Sequence, residues 1–185
     1  MLKRLYIVLF LLTTGYMGFS QTSSVVSTRN GKAYFLSDAP LEMISASSSS
    51  LIGVLDIEDR AFSFSIPVKT FEGFNSALQQ THFNEDYLET DIYPQATFKG
   101  KIIEEVDLGV PGQYRIRAKG KLNIHGIDND RIIRCDVSVE PGIIKVKAEF
   151  TVFLDMHDIK IPSIVNQKIA EEIRVEIYFV MQASN

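Results

Sequence analysis

The chain has a single cysteine, Cys135, so no disulfide can form within it. Its core alone must hold the domain together, and 185 residues suffice to bury one. Cys135 sits in an alternating strand pattern, which favours a small buried hydrophobe over a reactive thiol. Basic excess is also missing: 19 Lys and Arg stand against 23 Asp and Glu, with no basic cluster, and that excludes a nucleic-acid partner. No repeat of fixed period, P-loop, nucleophile elbow, HExxH or CxxC motif occurs. The three histidines are His82, His125 and His157. His82, Glu85 and Asp86 share helical offsets of three and four, but without a second histidine they make a poor zinc signature. Asn84-Glu85-Asp86 lacks the spacing of a calcium loop. A satisfied or solvated ring is the better reading at each histidine, and no metal is expected.

There is no apolar run of the roughly 18 residues that a permanent membrane span needs. What stands at the N-terminus instead has the three parts of a secretory signal. Lys3 and Arg4 form a positive start, Leu5 to Leu12 an apolar stretch, and Gly18-Phe19-Ser20 a small-x-small cleavage site. The expected organisation is a signal peptide over 1–20 and one domain over 21–185. The residue directly after the cleavage site is Gln21 and not a cysteine, so a lipid anchor and a stable membrane anchor are not expected. Cleavage near Ser20-Gln21 would make the protein periplasmic or secreted. It would also remove two basic residues from a formal net charge of −4.

Beyond the leader, Thr22 to Thr28 reads as a loose arm and Ser47-Ser48-Ser49-Ser50 as a loop. Most of the rest alternates with period two, the mark of half-buried strands. Tyr114, Ile116, Ala118, Gly120, Leu122 and Ile124 oppose Arg115, Arg117, Lys119, Lys121, Asn123 and His125. The same alternation marks 133–140, with Ile133, Cys135, Val137 and Val139 on the apolar side, and it recurs over 144–155, 173–182 and 62–69. Turn signals at Val110-Pro111-Gly112-Gln113, Gly126 to Asp130 and Glu140-Pro141-Gly142 are short enough for hairpins. Long strands joined by hairpins form an antiparallel meander. The only helical cover is about Ser76 to Glu89, with another turn near Ser163 to Ala170, so closure into a barrel is favoured over an open sheet.

Three segments carry a family resemblance. The run from His82 to Ile102 ends a helical insert, turns at Tyr93-Pro94 and enters the strand Gln95-Ala96-Thr97-Phe98; it resembles the YceI family's insert and its "YP-x-A/I-T-F" strand. Gly120-Lys121-Leu122-Asn123-Ile124-His125-Gly126 is similar to that family's "G-x-L-T-x-H-G", and Phe150 to Ile159 stands in place of its strand ending in "D-F-G-I". The resemblance implies an all-β fold: an antiparallel, lipocalin-like β-barrel of about eight strands with a short helical insert between strands. It also implies an amphiphilic, long-chain apolar ligand such as an isoprenoid quinone or a polyprenyl lipid. Many members carry an Arg-Asp pair just before the histidine. This chain has Leu78-Gln79-Gln80-Thr81 there, so a headgroup contact made by that pair does not carry over.

The residues themselves say only that the ligand is apolar. Of the inward positions in the strands, only Cys135 and Tyr114 can titrate, and acid-base catalysis needs more than that. The expected lining comprises Phe64, Phe98, Leu122, Phe150 and Phe179 from the strands, and Phe74, Leu78 and Phe83 from the insert. Gly100, Ala118, Gly120 and Ala148 are small residues on otherwise bulky faces. They leave room for a ligand, or, at the glycines, permit the bends that close a barrel. The insert forms either a wall of the mouth or a plug. Three functions stay open: a lipid carrier that is not an enzyme, an enzyme at the mouth using His82 with Glu85 or Asp86, and a packed barrel that binds a protein through its surface. A homodimer is compatible with each.

Overall fold

The computed structural model describes residues 24–183, so the leader and its cleavage site lie outside the described residues. Eight antiparallel strands close in chain order: β1 (Val25–Asp38), β2 (Met43–Asp56), β3 (Ala61–Pro67), β4 (Gln95–Ile102), β5 (Gly112–Ile124), β6 (Ile127–Glu140), β7 (Ile143–Phe153) and β8 (Glu172–Ala183). β8 returns to pair with β1. The insert between β3 and β4 holds α1 (Ala77–His82), which runs on as a π-helical turn over Phe83–Tyr87. Ser76 caps α1 by accepting from the Gln79 backbone N–H at 3.2 Å.

Alternation places the walls as the sequence requires. In β5, Ile116, Ala118 and Leu122 are buried while Arg115, Arg117, Lys119 and Lys121 face water. A barrel with an apolar lumen and a charged outside is the reverse of a membrane-spanning one, whose apolar band faces outward. One end of the barrel carries the turns 57–60, 103–111 and 141–142. There Val26, Ile102, Leu108, Val139, Ile144 and Met181 pack into a solid core. The other end carries the insert and the segments 39–42 and 154–171.

Three expectations are corrected. Val25 to Thr28 is no loose arm: it opens β1 and pairs with Asp56 to Gly53. Ser47 to Ser50 lies inside β2, where Ser48 is buried and hydrogen-bonded to the Thr70 hydroxyl at 2.6 Å. The turn after β5 is only His125-Gly126, with φ of 53° and 74°, and Ile124 pairs directly with Ile127. Positive φ at both central residues is the hairpin geometry that matches strand twist.

The register also extends the inward face of β6 beyond Ile133. Arg131 pairs with Gly120 and Asn129 with Leu122, so both lie on the inward side. β6 meets β7 only from Cys135 onward. In the seam left below, the Arg131 guanidinium donates to the Thr151 carbonyl and the Asn129 amide to the Met156 carbonyl. These polar side chains close the wall.

Candidate ligand-binding cavity

Between the solid end and the insert the barrel encloses a cavity of about 430 Å³, within the range of ordinary small-molecule sites of about 300–1,000 Å³. Its walls come from every strand and are almost wholly apolar: Leu51, Leu55, Phe62, Ile116, Val146 and Ile177 are typical. Polar side chains gather at the insert end, where Glu42, Gln79, His82 and Lys168 line the mouth.

Two groups of aromatic rings organise this space. Deep in the barrel Phe62 packs on Phe98 with ring centroids 4.9 Å apart, and Phe64 on Phe179 at 4.7 Å. The Phe64 ring occupies the space a side chain at Gly53 would fill, its Cγ lying 2.8 Å from where a Cβ would sit. At the mouth Phe35 stacks on Phe83 at 5.4 Å, and Phe74 meets Phe83 at 5.0 Å. The insert therefore contributes an aromatic wall to the mouth while the lumen beneath it stays open.

The structure gathers Phe64, Phe74, Phe83, Phe98, Ala118, Leu122, Ala148, Phe150 and Phe179 around this cavity. It places three of the expected lining residues elsewhere. Leu78 is 63% exposed, on the side of α1 turned away from the lumen. Gly100 and Gly120 face each other across β4 and β5, where the strands come too close for a side chain. Their smallness serves the packing of the wall, whereas Ala118 and Ala148 border the cavity itself. The sequence reading missed Ser37, Glu42, Ile44 and Lys168, which come from segments without clean alternation.

Cys135 borders the cavity from β6. Burial, and then the Asp136 and Glu104 carboxylates, push its thiol up to about 12. Burial, followed by the Asp86 charge, likewise raises the Tyr87 phenol at the mouth, so it remains a neutral hydrogen-bonding group. His82 Nδ1 contacts the Asp86 carboxylate across one helical turn, and Glu85 takes no part in that pair. Among the described residues no group of three His, Cys, Asp or Glu could hold a metal ion.

The other two histidines do meet, on the rim. His125 Nδ1 donates to the His157 carbonyl at 3.0 Å and its Nε2 lies 2.7 Å from the Glu89 carboxylate. His157 is fully buried, donates to the Ile124 carbonyl at 3.2 Å, and has its basicity lowered, first by burial. The Tyr93 ring meets His125 edge-on at 4.6 Å. Each histidine is thus satisfied within the fold. The Tyr-Pro and His-Gly segments, far apart in sequence, form one structural clamp beside the mouth.

An antiparallel barrel of eight strands with one packed end, an apolar lumen and a polar mouth defines a container for a small apolar molecule. The sequence profile of the YceI-like domain matches residues 13–181, and the chain belongs to that family. Among solved structures it is similar to a polyisoprenoid binding domain from Saccharophagus degradans implicated in plant cell wall breakdown, with a TM-score of 0.75 and 13% identity over 87% of this chain and 99% of that one. It is also similar to BcnA of Burkholderia cenocepacia (TM-score 0.68, 15% identity, 81% and 95% covered). A third is the YCEI protein of Campylobacter jejuni (TM-score 0.58, 14% identity, 74% and 81% covered). At these identities the likeness establishes the fold. A comparison with curated proteins returns no match.

Proposed function

We propose that this protein is an exported carrier for a long-chain apolar lipid of the isoprenoid type, held in the barrel for storage, transport or shielding. The observation that carries the reading is the cavity of about 430 Å³, apolar along its walls and polar only at its mouth. Such a lumen favours hydrocarbon over water by about 0.8 kcal/mol for each methylene buried, offset by the cost of ordering a flexible chain. The side chains missing at Ala118 and Ala148 supply part of the space. The fold shared with a polyisoprenoid binding domain supports the isoprenoid class, and isoprenoid quinones and polyprenyl lipids are the candidates. The leader-like segment at 1–20 supports export, to the periplasm or beyond. A lumen of this volume speaks against the packed-barrel alternative.

The test is native purification from the producing cell, organic extraction and mass spectrometry of the extract, with sequencing of the N-terminus. A stoichiometric isoprenoid or other long-chain lipid on a chain starting near Gln21 is expected. Protein that is lipid-free and also refuses added polyprenyl lipids would remove the carrier reading.

A further inference from the structure

The barrel mouth is bordered by three segments tied to one another. The Leu41 N–H donates to the Gln167 carbonyl at 2.9 Å, the Asn75 amide donates to the Met43 carbonyl at 2.9 Å, and the Gln79 amide donates to the Glu42 carboxylate. On each segment a large apolar side chain stands in water beside a residue that lines the cavity. Leu41 and Met43, 66% and 61% exposed, flank the lining residue Glu42. Leu78, 63% exposed, precedes the lining Gln79, and Ile164, 89% exposed, precedes the lining Val165. Chain neighbours therefore divide their side chains between the lumen and the outside. The outward set is spread over all three segments that border the opening.

Isolated apolar side chains on a surface need no explanation, but a set of them bordering the entrance to an apolar lumen does. The closed end offers less: Ile103 and Val110 are 37% and 51% exposed, and the polar lining of the cavity lies at the opposite end. We propose that the rim formed by Leu41, Met43, Leu78 and Ile164 docks on a lipid bilayer, so that cargo passes between membrane and lumen without crossing water. The proposal rests on the carrier reading. What selects a bilayer is the continuity of this set with the lumen, because a cargo of long apolar chains resides in membranes and pays the full hydrophobic penalty in water. The rim carries charges of both signs, Lys168 against Glu42 and Asp86. Docking is therefore by shallow apolar insertion and does not require anionic lipid.

The test is vesicle flotation of natively purified protein on pure phosphatidylcholine, with and without added phosphatidylglycerol, at low and high salt. Binding to the neutral vesicles with little dependence on salt is expected. Leu41→Ser with Ile164→Ser should weaken it by about tenfold or more, in proportion to the apolar area withdrawn, while extraction shows the lipid content of the barrel unchanged. Protein that carries lipid but floats with no vesicle overturns the docking and leaves the carrier reading intact. Flotation that the double variant does not weaken, or that appears only with phosphatidylglycerol, overturns it as well. A dimer in solution that the double variant dissolves, without vesicle binding, assigns the rim to a second copy of the chain.

Discussion

Gly100 on β4 and Gly120 on β5 stand directly opposite each other, and a Cβ built at Gly100 would lie 2.6 Å from the Gly120 Cα and strike the Lys119 carbonyl oxygen. Backbone cannot step aside as the end of a side chain can. Gly100→Ala should therefore destabilise the barrel by about 2 kcal/mol, the usual size of an overpacking penalty. The measurement is the urea midpoint. Lipid content of the fraction that remains folded should not change, since neither glycine borders the lumen. An unaltered midpoint would mean that β4 and β5 separate freely here.

Ala118 and Ala148 behave in the opposite way. Both border the cavity, so the extra carbons of Ala118→Leu or Ala148→Leu enter empty space. Displacing about three cargo methylenes at about 0.8 kcal/mol each predicts lipid binding weakened by tenfold or more, with the urea midpoint held or raised. Wild-type lipid affinity in both well-folded variants would show that the cargo never reaches the middle of the barrel.

The contrast between these two pairs shows what a sequence carries and what it does not. β5 through β8 were legible because each keeps one phase of alternation along its length. β1 and β2 were not, for a physical reason. Inward positions run Val26, Thr28 and then Gly31, Ala33, because the β1–β2 register shifts on both sides of Gly31. The same irregularity moves β2 from Ala46 and Ser48 to Leu51, Gly53 and Leu55. A bulge reverses the phase, and a buried serine with its hydroxyl satisfied by Thr70 looks like a loop residue in the sequence. The walls of the lumen could thus be anticipated from period two. The polar mouth could not, since Glu42 and Lys168 reach it from irregular segments whose placement depends on tertiary contacts such as that between Leu41 and Gln167.

His125 tests whether the family's Tyr-Pro and His-Gly segments hold the fold. Its ring nitrogens face the His157 carbonyl and the Glu89 carboxylate, and the Tyr93 ring meets it edge-on. His125→Asn is the informative change, because asparagine tolerates the positive φ of 53° that the turn imposes. It keeps the turn and removes the ring with both of its hydrogen bonds. A loss of about 1–2 kcal/mol is expected in urea unfolding, since the carbonyl of the buried His157 loses its donor while the half-exposed Glu89 carboxylate turns to water. A variant as stable as the parent would reduce the clamp to an accident of packing.

Cys135 offers a readout of occupancy. Its thiol faces the lumen and is held up to about 12 by burial and the neighbouring carboxylates. The reactive form is the thiolate, so at pH 8 a charged thiol reagent should leave the folded protein unmodified and label it fully in urea. A small uncharged alkylating agent at higher pH can enter an empty lumen, and added lipid should then suppress its reaction. The same shift has a consequence for stability. The folded chain holds this proton above the ordinary thiol value of 9.0, so the contribution is whole below pH 9. It is lost as pH rises toward 12, because the unfolded chain ionises first. Replacing the thiol by Cys135→Ala should remove that part of the alkaline loss of stability. Rapid labelling of the folded, lipid-loaded protein at pH 8 would place Cys135 in contact with solvent and separate it from the cargo.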